Sequence, residues 1–199
     1  MSRTTPADVL VLHAARTLGY ATAARIAERL GLPEAEVTER LSNAQSRGWA
    51  AYSSFAGDGG WSLTEAGEHR GERLLATELD AAGARRAVED VHQDFLPVND
   101  VVSAACTAWQ LAEMGIGEDP VTLTATIAAL EEPAHALAGL EARLTAHLTR
   151  FGGYHRRFAA ALSRAGTEPA WITGTGRDSC HQVWFELHEA LSATLGLTR

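Results

Sequence analysis

The stretch Thr22–Gly67, TAARIAERLGLPEAEVTERLSNAQSRGWAAYSSFAGDGGWSLTEAG, decides the fold of this chain. Its first eight residues after Thr22 carry an apolar face at Ala23, Ile26, Ala27 and Leu30, the i, i+3, i+4, i+7 spacing of an amphipathic helix. Gly31-Leu32-Pro33 breaks that helix. Pro33–Arg47 then reads as a second one, with Val37, Leu41 and Ala44 turned inward and Gly48 as the stop. Trp49–Phe55 and Trp61–Leu63 are short and aromatic-rich, and Gly57-Asp58-Gly59-Gly60 separates them, which predicts a β-hairpin. Thr64 is placed to cap a further helix, with Glu65 and Glu68 in its first turn where the helix dipole favours carboxylates.

Helix, turn, helix, strand, Gly-rich tip, strand, helix is the order of a winged helix-turn-helix, a fold used mainly to present one helix to the DNA major groove. Val37-Thr38, Arg47-Gly48-Trp49 and Ser62-Leu63-Thr64-Glu65-Ala66-Gly67 resemble the MarR-type winged-helix regulators, over about Ala7 to Leu79. Those proteins show a Val-Ser/Thr start to the recognition helix, a Gly closing it and Leu-Thr-x-x-Gly after the wing. The resemblance implies a DNA-binding head. Two departures accompany it: Glu39 and Asn43 stand where the family usually carries basic residues, and the wing tip has no cation.

Working outward, Ala7–Leu18 reads as a helix ended by Gly19, and the helix after the wing runs to about Glu78. Asp80-Ala81-Ala82-Gly83 is the expected boundary, giving a winged helix-turn-helix domain over 1–80 and an α-helical domain over 81–199. The second half has no strand signal. Arg85–Asp94 and Pro97–Met114 read as separate helices, followed by a Gly115–Asp119 loop. Pro120–Leu130 is helical, Pro133 is expected to kink or restart it, and Ala134–Arg150 continues with Leu137, Leu140, Leu144 and Leu148 on one face. Tyr154–Arg164 and a last helix capped by Asp178 and running to about Leu195 complete a mainly α chain, with Gly166–Arg177 as a loop.

Composition bounds the function. The chain has 199 residues, 46% hydrophobic, enough for one large or two small domains. No apolar run approaches the roughly 18 residues of a membrane span, and the N-terminus lacks a signal-peptide core, so a cytoplasmic protein with no membrane partner is expected. All 17 basic residues are Arg, and the formal charge is −8. Residues 1–80 hold eight Arg against eleven Asp and Glu, so the DNA-binding head is itself acidic. Because DNA affinity comes largely from neutralised phosphates, this charge opposes the DNA reading unless a basic stripe is local. Cys106 and Cys180 have no metal-site spacing and read as buried free thiols.

With Val37, Leu41 and Ala44 inward, Thr38, Glu39, Ser42, Asn43 and Ser46 point outward, flanked by Arg40 and Arg47. Thr, Ser and Asn hydrogen-bond base edges, Glu accepts from cytosine N4, and the two arginines would hold phosphates. In the last helix His181, Trp184, Phe185 and His188 recur at i, i+3, i+4, i+7. That stripe reads either as core and dimer seam or as the wall of a pocket for a small-molecule effector, joined by His155 and Arg156 of Tyr154-His155-Arg156-Arg157. No nucleophile elbow, phosphate loop, HExxH or dinucleotide fingerprint occurs, so no enzyme, cofactor or metal is expected. The reading is a homodimeric regulator that binds double-stranded DNA and dimerises through its helical half. The alternative is a winged-helix module whose acidic surface docks a partner protein. An enzyme built on His181, His188 and Glu189 is a third, weaker reading.

Overall fold

The computed structural model describes residues 2–55, 58–116 and 121–197. It is mainly helical, with one two-stranded antiparallel sheet among the described residues. The order is α1 (Ala7–Leu18), α2 (Ala23–Leu30), α3 (Glu34–Ser46), β1 (Ala50–Phe55), β2 (Asp58–Leu63), α4 (Glu65–Ala81), α5 (Arg85–Glu113), α6 (Leu123–Thr145), α7 (Tyr154–Ala165), α8 (Ala170–Thr173) and α9 (Cys180–Leu195). No described helix is long and apolar enough to cross a membrane. The residues group into two compact units, one of Arg86–His188 with Ser2, the other of Arg3–Arg85 together with the chain from Glu189 onward.

In the unit that holds Arg3–Arg85, local signals set the boundaries. Gly19 ends α1 at φ 73°, and Gly31 ends α2 in the left-handed region at φ 65°, where a Cβ would be strained. The Thr22 hydroxyl accepts the Arg25 N–H at 3.1 Å and caps α2. Val11, Leu12, Ile26, Val37 and Leu41 form one core, which Trp61 closes from the sheet. β1 and β2 pair in register with Ala50 opposite Leu63 and Tyr52 opposite Trp61. Ala21, between α1 and α2, adds an antiparallel bridge to Trp61, exchanging both backbone hydrogen bonds at 3.1 and 2.8 Å.

The Leu63-Thr64-Glu65-Ala66-Gly67 motif has a structural explanation. Thr64 accepts the Gly67 N–H at 3.1 Å as the cap of α4, and its own hydroxyl donates to the Gly48 carbonyl at 2.6 Å. A Cβ on Gly67 would lie 1.8 Å from the Trp49 carbonyl oxygen, so only glycine lets α4 start against the α3–β1 connection. Glu189 reaches back to Arg16 of α1 at 3.0 Å, Glu72 of α4 takes the same guanidinium at 2.7 Å, and Ala193 packs with Val9 and Leu75.

The helical unit departs from the sequence reading at its prolines. Pro97 lies inside a continuous helix rather than starting a second one, and of the two outcomes expected at Pro133 the restart does not occur, since it too lies inside one helix. A mid-helix proline costs one hydrogen bond and a steric clash, roughly 3 kcal/mol. The buried face outweighs it: Val88, Val91, His92, Phe95, Val102 and Cys106 stay in one helical register across Pro97. The same holds for Leu130, Pro133, Ala134 and Leu137 in α6. The region expected as a loop over Gly166–Arg177 contains α8. Ser179, not Asp178, caps α9, its hydroxyl oxygen accepting the Gln182 N–H at 3.3 Å. The expected Gly57 tip, most of the Gly115–Asp119 loop and the expected helix start at Pro120 lie outside the described residues.

Candidate nucleic-acid interface

Val37 and Leu41 of α3 are fully buried and Ala44 nearly so, which fixes the opposite face. Thr38, Glu39, Ser42, Asn43 and Ser46 are all exposed on it. Their chemistry is not equivalent. The Ser42 hydroxyl donates to the Thr38 carbonyl and that of Ser46 to the Asn43 carbonyl, each at 2.8 Å. Both serines therefore spend their proton on the helix and present acceptor lone pairs outward. Thr38, Glu39 and Asn43 have no side-chain partner among the described residues, so their hydroxyl, carboxylate and amide face solvent uncommitted.

The two flanking arginines divide sharply. Arg40 is held by Glu36, at 3.1 and 2.8 Å, and by Asp8 of α1. Hydrogen bonds to Glu36 and then to Asp8 raise its pKa further. It ties α3 to α1 and is already neutralised, so it lacks the free charge that a phosphate contact was expected to use. Arg47 is exposed and makes no ion pair among the described residues. Its guanidinium lies over the Trp49 ring, 5.1 Å from the centroid, and Arg70 of α4 lies over the same ring at 5.2 Å. The Arg70 Nε is buried and has no hydrogen-bond partner. Two guanidiniums on one indole, neither paired with a carboxylate among the described residues, make a local positive spot on this unit. They border a cleft of about 340 Å³ between α1, α3, Trp49 and α4.

The hairpin and the α1–α2 connection supply residues that the sequence reading missed. Tyr20 and Tyr52 are 53% and 51% exposed. The Tyr20 hydroxyl donates to the Ser53 carbonyl at 2.9 Å, and Tyr52 meets Trp61 edge-on with ring centroids 5.2 Å apart. A Cβ on Gly60 would fall 2.5 Å from the Tyr20 ring and one on Gly59 would strike the Tyr52 hydroxyl at 1.8 Å. Gly59-Gly60 is thus a seat for two tyrosines. The cross-strand register brings Tyr52 to this pair, whereas Tyr20 is far from it in sequence and only the fold places it there.

The residues expected to line an effector pocket in the helical unit differ in burial and in what they touch. Trp184 is 3% exposed, stacked on Phe95 at 5.1 Å and edge-on to Phe158 at 5.5 Å. Its Nε1–H donates to Asn99 Oδ1 at 3.1 Å, so both the ring and its polar atom are already used. His188 packs against Phe95 at 5.6 Å, while Phe185 turns outward at 39% exposure, splitting the expected stripe. His181 is half-buried and burial holds its pKa below the usual histidine value. His155 contributes its backbone N–H to Glu141 at 2.7 Å, and Arg156 is exposed, whereas its neighbour Arg157 turns in to Glu186 at 2.9 Å. Glu189, which an enzymatic reading would need, is committed to Arg16. Burial pushes both Cys106 and Cys180 up to about 12, with the Cys106 charge adding at Cys180, so neither is a thiolate nucleophile. No group of three or more His, Cys, Asp or Glu that could hold a metal occurs among the described residues.

Comparison with protein-family models, with curated proteins and with solved structures found no match for this chain.

Proposed function

We propose that this chain is a DNA-binding transcriptional regulator whose Arg3–Arg85 segment is a winged helix-turn-helix. The observation that carries the reading is the exposed polar face of α3, held outward on a helix pair whose following hairpin is stitched back to the α1–α2 connection through Ala21 and Trp61. On this reading α3 enters the major groove. Asn43 and Thr38 supply donors, Glu39 and the two serines supply acceptors, and Arg47 holds a phosphate beside them. Base-edge chemistry on the helix with few cations around it describes a head that selects sequence more than it grips backbone.

Such a head needs a second copy. Two heads on a palindrome gain affinity through effective concentration, and their helices must meet successive major grooves about 34 Å apart. The helical unit offers a seam for this. Pro97, Val101, Ala104, Ala108 and Leu111 follow one another on α5 at alternating spacings of four and three, the spacing of a helix–helix seam, and Val101 and Leu111 are 47% and 40% exposed. An effector would act by favouring one separation of the two heads over another.

Selection from a randomised duplex pool, followed by anisotropy titration of the enriched sequence, tests the DNA reading. A palindromic consensus bound more tightly than random duplex is expected; no enrichment together with no binding at 50 mM salt would overturn it. Sedimentation of the wild type and of Val101→Glu tests the dimer, which the charge should dissociate. The second reading, an acidic winged-helix module that docks a partner protein, is favoured by the eight-to-eleven charge balance of residues 1–80 and by the uncommitted Glu39.

A further inference from the structure

The hairpin is covered on both faces and along one edge, and open along the other. Trp61 of β2 exchanges both of its backbone hydrogen bonds with Ala21, at 3.1 and 2.8 Å, so its N–H and C=O point away from β1. Tyr52 and Trp61 are therefore a non-hydrogen-bonded pair, and the Tyr52 N–H and C=O point outward from the free side of β1. Ser54, two residues on, points its own the same way. Neither main chain has a hydrogen-bond partner on that side among the described residues. A Cβ on Gly60 would meet the Tyr20 ring and one on Gly59 the Tyr52 hydroxyl. Successive Cβ atoms point to opposite faces, so one tyrosine covers each face of the hairpin. Residues 51–54 are all exposed. Exposed edges are ordinarily blunted by charges, proline or a bulge. Ala50-Ala51-Tyr52-Ser53-Ser54-Phe55 has no charged residue and no proline, and its register with β2 runs without a bulge.

From this geometry we infer that the open edge of β1 pairs with the same edge of a second copy of this chain, antiparallel, about a two-fold axis at Ser53. Tyr52 of each copy then exchanges main-chain hydrogen bonds with Ser54 of the other, and Ser53 lies opposite its own equivalent. The edge is its own complement in that register. An axis at Tyr52 would instead call on Ala50, which is only 3% exposed. Charge agrees at contact: like charges directly opposite destabilise a strand pair, and an uncharged strand paired with itself brings none together. The formal charge of −8 opposes two copies only at longer range, where salt screens it. One short strand a side falls well below the roughly 20–30 residues of a standard interface. The pairing is therefore weak between free chains and gains from any second tie through effective concentration. Added to a two-fold seam on α5, a second two-fold contact builds tetramers or open chains. None of this depends on whether α3 binds DNA.

Disulfide trapping in the full chain tests the pairing. A non-hydrogen-bonded pair holds its Cα atoms ~4.5 Å apart, inside the ~4.4–6.8 Å span of a disulfide. Ser53→Cys should therefore crosslink to its equivalent under mild oxidation. The rate should be at least about tenfold that of Ala51→Cys, which lies on the same face but opposite residue 55. Cys106 and Cys180 are buried and take no part. Salt should speed the reaction, because it screens two acidic chains from each other. Adding Ser54→Pro removes an outward N–H without touching the β1–β2 ladder, and should abolish the crosslink. If that variant does not fold, sedimentation equilibrium in a Val101→Glu background, which takes the α5 seam out of play, supplies the second measurement. There Ser53→Lys sets two like charges face to face at the axis and should weaken association about tenfold or more. No crosslink from Ser53→Cys, equal rates for the two cysteines, a crosslink that survives Ser54→Pro, or association unchanged by Ser53→Lys overturns the pairing. Ser53→Cys that stays single when pure but crosslinks to another protein in the cell also overturns it, and assigns the edge to a partner's strand.

Discussion

Replacing Arg47 by Gln tests whether α3 lies on DNA, and the structure sets the size of the effect. Arg47 is the exposed cation on the flank of the polar face, free of any carboxylate among the described residues, and its loss disturbs no ion pair. Each phosphate neutralised on duplex DNA contributes about 0.9 to the slope of log K against log salt. A dimer that places both Arg47 side chains on phosphates should therefore lose about 1.8 from that slope. Between 50 and 200 mM salt those two contacts alone account for about a twelvefold fall in affinity. Anisotropy titrations of a selected duplex at four salt concentrations resolve the difference, and a loss of about 0.9 would mean one head bound rather than two. Arg40→Gln is the internal comparison. That guanidinium is neutralised by Glu36 and Asp8, so its removal should lower stability while leaving the slope nearly unchanged. Glu39→Arg should move the slope the other way, by adding a contact where a carboxylate now faces outward. An unchanged slope in both Arg47→Gln and Glu39→Arg would refute the placement of α3 on DNA and favour the protein-docking reading.

Three further outcomes are expected. Gly67→Ala should destabilise the Arg3–Arg85 unit by about 1–3 kcal/mol, because the new methyl meets the Trp49 backbone carbonyl, which has no rotamer to yield; urea denaturation followed by tryptophan fluorescence reads it. Asn99→Leu should cost about 1–3 kcal/mol by leaving the buried Trp184 N–H without its acceptor, and should cost nothing further in a Trp184→Phe background, where no donor remains. Stability should fall as the pH drops below about 6.5, the ordinary histidine value. His92, through burial and then the nearby His188 charge, and His181, through burial, both have lowered pKa values in the folded protein. The unfolded chain therefore takes up protons first, the stabilisation is complete above about 6.5, and it is lost as pH descends toward the folded values. Urea midpoints at pH 7.5 and 5.5 should differ, and His92→Gln with His181→Gln should narrow the gap.

The sequence by itself determined the order and most boundaries of the elements in Ala7–Leu63, and the burial of Val37, Leu41 and Ala44 against the exposure of Thr38, Glu39 and Asn43. Those features rest on signals a few residues apart: a Thr cap bonding three residues on, a glycine at positive φ, an apolar repeat of one helical turn. The tertiary structure decided what local spacing cannot encode. Pro97 and Pro133 stay inside helices because their buried faces continue on both sides, and the benefit of that burial comes from residues far away in the chain. Arg40 and Arg47 look alike in sequence, yet Asp8, distant along the chain, helps to neutralise one of them, while Trp49 and Arg70 leave the other charged and open. Trp184 shares its helical stripe with Phe185 and His188, but Phe95 and Phe158 pack against its ring and Asn99 takes its N–H, while Phe185 turns outward. A side chain's type and spacing are local properties. Whether its charge, ring or hydrogen-bonding atom remains available depends on which distant groups the fold brings against it.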